Sequence, residues 1–184
     1  MSQPIRRPAL LLCCMDYRYI HAVLGFVERQ LGIKVYNVKT DAGGTKALLN
    51  GDPSVRAWIL SNVKLAYHRH GVRTVVLVHH EDCAAYGGSA AFIPPPVADR
   101  QRRSGSQSDP AFGQATGGGI KDRAKETAFH AQQLALASSL LRATFSRLTV
   151  RMFYAHRASR RTVFAEIVGS YPRRRAARRV CTRG

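Results

Sequence analysis

Acidic residues are scarce in this chain. Eleven aspartates and glutamates stand against 29 lysines and arginines in 184 residues, a formal charge of +18 at pH 7. Such a balance points to a polyanion, a membrane surface or an anionic substrate. Long hydrophobic runs are absent: nothing approaches the roughly 20 apolar residues that span a bilayer. The opening Met1-Ser2-Gln3-Pro4 lacks a signal-peptide pattern. A soluble, cytoplasmic protein without a membrane partner is therefore expected. Cysteine is also sparse, at positions 13, 14, 83 and 181. Four such residues do not resemble a disulfide framework, and cysteines accompanied by histidine suggest metal binding or catalysis instead. No internal repeat is visible.

The positive charge is uneven. Nine arginines and a single carboxylate, Glu166, fall between Arg157 and Gly184. No aromatic residue interleaves the cluster from Arg173 to Arg179, whereas binding nucleic acid by stacking needs aromatics as well as charge. The tail over 171–184 reads as a solvated, disordered end, with weak nonspecific nucleic-acid contact as its expected reach. Residues 1–170 read as one domain, since hydrophobic content of 45% supports a core and the length does not suit two domains.

Within that domain strands and helices alternate. Residues 9–14 form a short apolar run suited to a strand buried on both faces. Ile20, Val23, Leu24, Val27 and Leu31 have helical spacing over 17–31, and Gly32 ends that helix. A second strand is expected over 33–38, leading into the turn Asp41-Ala42-Gly43-Gly44. Asp52-Pro53 reads as a cap with proline in the first helical position, opening a helix over 54–70 that Gly71 closes. Residues 72–79 give the third and strongest strand. Pro94-Pro95-Pro96 and Gly117-Gly118-Gly119 bracket a polar stretch, so 93–119 reads as a long, disordered surface loop. Helix returns over 120–146, followed by a strand over 148–155 and an edge-like strand over 162–168. The expected fold is α/β, with a mostly parallel central sheet of four to five strands flanked by helices. In such sheets ligands gather at the carboxyl ends of the strands.

Two short motifs fall at those ends. Cys14-Met15-Asp16-Tyr17-Arg18 follows the first strand, and His79-His80-Glu81-Asp82-Cys83 follows the third. Cys14, His80 and Cys83 offer two thiolates and an imidazole, a zinc set with one position left for water or substrate. His80 is preferred to His79 because adjacent rings on extended backbone cannot face the same way. The two-residue gap from His80 to Cys83 also suits a turn around one ion. By the same alternation Cys13 points away from Cys14 and reads as a small buried hydrophobe. Cys181 reads as a free thiol. Asp16 and Arg18 place a carboxylate and its partner beside the metal, although a plain helix-terminus ion pair would look the same in sequence.

Cys-x-Asp-x-Arg, an Ala-Gly-Gly turn after the second strand and His-x-x-Cys after the third together resemble the β-class carbonic anhydrases. The resemblance runs from Leu10 to Gly88. It implies Cys14, His80 and Cys83 as zinc ligands, Asp16 and Arg18 as the catalytic dyad, and a homodimer or higher oligomer. The fourth ligand would be a water, or the Asp16 carboxylate in a closed form. The Asp41, Gly43 and Gly44 turn would border the substrate pocket; the family usually has asparagine where Asp41 stands. Tyr17, Phe26 and Tyr86 are candidates to line that pocket, with core packing the plainer role for each.

The implied activity is reversible hydration of CO2 to bicarbonate, with zinc-bound hydroxide as nucleophile and Asp16 accepting its hydrogen. Relatives of this fold hydrolyse COS or CS2 on the same metal centre, so a hydrolase of that type is the nearest rival. A non-catalytic zinc protein, closed by Asp16 and binding polyanions through its tail, is the second. Deleting residues 171–184 is expected to leave folding cooperativity nearly unchanged, because that segment has no apolar periodicity to pack. The same deletion should remove most of the weak, salt-sensitive retention on a polyanion resin, and thermal melts beside salt-gradient elution check both outcomes.

Overall fold

Two continuous apolar runs become the inner strands of a five-stranded sheet. The computed structural model describes residues 8–50, 52–92 and 123–168, so the expected loop over 93–119 and the tail over 171–184 lie outside the described residues. In chain order the elements are β1 (Ala9–Cys14), α1 (Tyr17–Arg29), β2 (Tyr36–Asp41), α2 (Lys46–Asn50) and α3 (Pro53–Arg69). Then come β3 (Thr74–His80), two short 3-10 turns (Ala84–Tyr86 and Ser89–Phe92), α4 (Arg123–Thr144), β4 (Thr149–Ala158) and β5 (Arg161–Glu166). The strand order is β2-β1-β3-β4-β5, parallel throughout except for the antiparallel β5.

Burial on both faces explains why β1 and β3 read as unbroken apolar runs. Leu10, Leu12, Val75 and Leu77 point into one core with Ile59 and Val63 of α3 and Leu134, Ala137 and Leu141 of α4. Leu11, Cys13, Val76 and Val78 point into the other with Val23, Phe26 and Val27 of α1. The chain leaves β1 toward β2 on one side and returns to β3 on the other. A crevice therefore opens at the carboxyl ends of β1 and β3, where α/β sheets bind ligands.

Local signals act as expected at the helix ends. Asp52 caps α3, accepting the Ser54 N–H at 2.7 Å, and Pro53 occupies the first turn. Gly71, at φ +68°, follows the last turn, and the Val72 N–H reaches back to the Ala66 carbonyl at 3.1 Å.

Two expectations need correction. The second strand spans Tyr36–Asp41, three residues beyond the expected 33–38. Ile33 is a plug rather than a strand residue: it is buried against α1 and its N–H bonds the Val27 carbonyl at 3.1 Å. As an edge strand with one neighbour, β2 needs no apolar run, so its pattern was weak. Tyr17 lines neither core nor pocket, being 83% exposed in the first turn of α1. The five-residue α2 was not anticipated, since one and a half turns carry too little periodicity to detect. Among the described residues no helix is long and apolar enough to cross a membrane.

The buried stripe of α4 runs Glu126, His130, Leu134, Ala137, Leu141. Apart from the buried Ser138, its lower half is apolar and packs into the core. Leu134→Ala is expected to lower stability by about 2–5 kcal/mol, the usual cost of emptying a fully buried leucine site, as read by denaturant or thermal unfolding.

Candidate metal centre

Cys14 ends β1 and His80 ends β3, while Cys83 follows the turn out of β3. These three side chains converge: one ligand atom from each lies within 4.8 Å of the others, and all three residues are buried. The two sulfurs are 3.9 Å apart. The neighbouring histidines face opposite ways, as strand alternation requires. His80 stacks on Tyr19 of α1 with ring centroids 4.4 Å apart, whereas His79 turns toward α4, with Nδ1 3.2 Å from His130 Nδ1. His79 Nε2 also meets the Thr45 hydroxyl at 2.7 Å. Burial drives the pKa of His79 far down and that of His130 down to about 4, so this second pair is neutral.

The donor set fits a soft divalent cation on its own chemistry. His80 Nδ1 lies 2.8 Å from the Glu81 carbonyl, which can only accept, so the proton sits on Nδ1 and Nε2 carries the lone pair. That Nε2 is buried and makes no hydrogen bond among the described residues. Cys14 is drawn well below the usual thiol range by its hydrogen bond with Cys83, against the opposing effect of burial. Cys83 is pushed up, first by that same bond to Cys14 and then by burial. The pair thus holds one proton between two sulfurs, and a second thiolate needs a nearby positive charge. A dication supplies it. Cys13 is different: burial, then the charge of Cys14, lifts it to about 12, and it packs in the α1 core.

Glycine brings the backbone to the sulfur. Gly43 and Gly44 have φ of +74° and +63°, in the left-handed region. The Gly43 N–H points at Cys14 Sγ from 3.4 Å. A Cβ on Gly44 would meet the Cys14 nitrogen and the Val78 carbonyl oxygen at 3.3 Å, so the loop sits directly on the strand ends. Asp41 contributes mainly backbone: its carbonyl accepts the N–H of Met15 and of Gly44 at 3.2 and 2.9 Å. Its carboxylate turns to Lys39 Nζ at 2.9 Å. Tyr86 touches the loop from the other side, its ring 3.0 Å from the place a Gly43 Cβ would take. Phe26 is core, stacked on Phe164.

Asp16 and Arg18 form an ion pair, and the plain helix-end reading holds. Asp16 is the N-cap of α1, accepting the Arg18 backbone N–H at 2.9 Å. Its carboxylate also takes the Arg18 guanidinium, from Nε at 3.0 Å and from Nη2 at 2.6 Å. That bond, above all others, holds the Asp16 pKa down. Asp16 Oδ2 lies 3.9 Å from His80 Nε2, close to the ligand set but committed to Arg18.

Asp82 escaped the sequence reading. It lies within the second motif and accepts the other side of the guanidinium: Oδ2 from Nη1 at 3.0 Å and its carbonyl from Nη2 at 2.9 Å. Glu126 was missed too, being buried on α4 and bonded to the Asp82 N–H. The signal available was an acidic residue on the apolar stripe of a helix, which marks a buried polar contact.

A family model described as "Putative carbonic anhydrase" matches residues 6–102. Among solved structures, the β-carbonic anhydrase CafD of the fungus Aspergillus fumigatus aligns at TM-score 0.52 and 15% identity, covering 91% of this chain and 95% of its own. A carbonic anhydrase of Streptococcus mutans aligns at TM-score 0.48 and 16% identity, over 91% and 87%. A carbon disulfide hydrolase aligns at 0.44 and 16%, over 83% and 75%. The likeness to CafD shows the fold. No curated protein matches the chain. With more than half of its residues inside that one family model, the chain belongs to the carbonic anhydrase family the model describes.

Proposed function

We propose that this protein hydrates carbon dioxide reversibly to bicarbonate, with zinc held by Cys14, His80 and Cys83. The observation that carries the reading is the Asp16–Arg18 bond beside a buried two-sulfur, one-nitrogen donor set. Zinc, when bound, supplies the Lewis acidity that makes a water molecule a nucleophile near pH 7. The chain's own groups prepare the rest. The Gly43 N–H and the Glu81 carbonyl hold Cys14 Sγ and the His80 ring in place, as outer hydrogen bonds do for metal ligands. Arg18 keeps the Asp16 carboxylate ionised and bound to the guanidinium, so that it would leave a position on a bound metal open to solvent. Asp16 then accepts the hydrogen of the attacking water and turns its lone pair toward the carbon of CO2. A carboxylate fixed by a bidentate arginine suits that orienting role better than permanent ligation. Gly43 and Gly44 bring the loop backbone directly against Cys14, whose sulfur faces the Gly43 N–H.

The domain that carries this chemistry is taken as 1–170, working as a homodimer or larger assembly in the cytoplasm. The sulfur analogues COS and CS2 present the same electrophilic carbon, and only the assay distinguishes them. Purified protein is expected to hold about one zinc per chain, since the described residues offer one such soft-ligand group. Cys83→Ser and His80→Ala should each lose most of that metal on elemental analysis; full retention in both would reassign the ligands.

Stopped-flow CO2 hydration between about pH 7 and 9, the range around the activated-water pKa, tests the reaction itself. Wild type should outrun buffer increasingly as pH rises. Asp16→Ala should keep zinc and lose about 10- to 100-fold in rate, the usual cost of an orienting group next to a metal. Arg18→Ala should also be slow, because an unpaired Asp16 can turn into the ligand set. Wild type no faster than buffer, yet active on COS or CS2, would move the reading to the sulfur substrates.

A further inference from the structure

Asp82, the second partner of Arg18, is met by the polar end of α4. Glu126 sits in its first turn and is 2% exposed. Burying a carboxylate is costly unless hydrogen bonds replace its water. Both of its oxygens are engaged: Oε1 accepts the Asp82 backbone N–H at 2.5 Å and Oε2 the Ser89 hydroxyl at 2.8 Å. Ser89, also buried, donates its own N–H to Asp82 Oδ1 at 3.0 Å. Asp82 is held in this way with φ +56°, a region non-glycine residues seldom enter. Its remaining acceptors, Oδ2 and the carbonyl, take Arg18 Nη1 and Nη2.

The guanidinium therefore lies between two carboxylates with different duties. Asp16 faces the donor set, whereas Asp82 is anchored from below by a helix and a 3-10 turn. The Arg18 side chain is one-third exposed, and a single ion pair at such a place is weak and exchanges with water. Two clamps on adjoining edges of a rigid planar fork, one on Nε and Nη2 and the other on Nη1 and Nη2, leave it one orientation.

We infer that Glu126 and Ser89, acting through Asp82, are positioning residues for the Arg18–Asp16 pair. They fix the far edge of the guanidinium, so that its near edge holds the Asp16 carboxylate off the metal ligands. The catalytic meaning of that control rests on the proposed function, but the geometric control itself does not. A purely structural role would tie down the start of α4 and leave Arg18 indifferent.

The test is 15N NMR of the Arg18 Nε–H in the full-length, metal-free protein, with exchange against solvent as the readout. Wild type should show a protected signal. Glu126→Ala and Ser89→Ala should exchange about tenfold faster or more, as expected when a local hydrogen-bonded unit opens. Glu126→Gln should restore protection, because its amide oxygen still accepts from Asp82 and its NH2 can donate to the Ser89 oxygen. Leu134→Ala, on the same helix face, should lower Tm and leave the signal protected. Should Glu126→Ala fail to fold, Ser89→Ala, which deletes one hydroxyl, decides the matter. Wild-type protection in Ser89→Ala and in any folded Glu126→Ala, or equal loss in Leu134→Ala, overturns the inference.

Cobalt-loaded protein separates this inference from the function it serves. Arg18→Ala should shift the visible cobalt bands as Asp16 enters the ligand set, and Glu126→Ala should shift them the same way by less. Failure of wild type to take up cobalt would overturn the proposed metal chemistry, while solvent exchange at Arg18 would still decide whether Glu126 and Ser89 position the guanidinium.

Discussion

Parallel hydrogen bonding between β1 and β3 is the constraint on which the candidate metal centre depends. Its register sets Cys13 against Val78, so Cys14 and the two histidines leave adjacent strands at the same level. Side chains alternate along a strand, and a one-residue slip would exchange faces. Cys13 would then stand where Cys14 does, and His79 where His80 does. The apolar alternation of Leu10, Leu11, Leu12 and of Val75, Val76, Leu77, Val78 forbids that slip, because both faces are buried in different cores. Packing free energy thus specifies which of two adjacent cysteines and which of two adjacent histidines meet.

A second layer of control lies in Arg18. One guanidinium satisfies two carboxylates and a carbonyl, and one of those carboxylates also caps α1. The helix cap and the ion pair share one carboxylate, so the structural role of Asp16 and its place beside the donor set come from the same side chain. Economy of this kind couples the site to the fold: movement of α1, of the turn after β3 or of α4 would each be felt at one ion pair. The stripe on α4 reflects this division, apolar where it packs on the sheet and polar where it passes beneath Asp82.

Much of this was legible in order and type. The alternation of strands and helices, the capping Asp52-Pro53 pair, the left-handed Gly71 and the edge-like last strand all carry local signals, because each depends on neighbours within a few residues. The convergence of Cys14, His80 and Cys83 followed from placing both motifs at strand ends. Less legible were β2 and α2. Ile33 and Val35 suggested a strand beginning at 33, yet Ile33 is consumed by α1 packing and pairing starts only at Tyr36. A short helix and an edge strand carry little periodicity to read.

Sequence alone determined the donor types that converge, their order and the faces on which they lie, since these follow from strand alternation and from chemistry local to two short motifs. Tertiary structure decided the partners. That Asp82 rather than solvent receives the second edge of Arg18, that Glu126 lies buried beneath it, and that the Asp41 carboxylate turns to Lys39 are matters of contact. The Arg18–Asp82 and Asp82–Glu126 contacts join residues 64 and 44 positions apart. No pattern within a motif encodes such distances, because only the packing of α1, α4 and the strand ends brings those groups together.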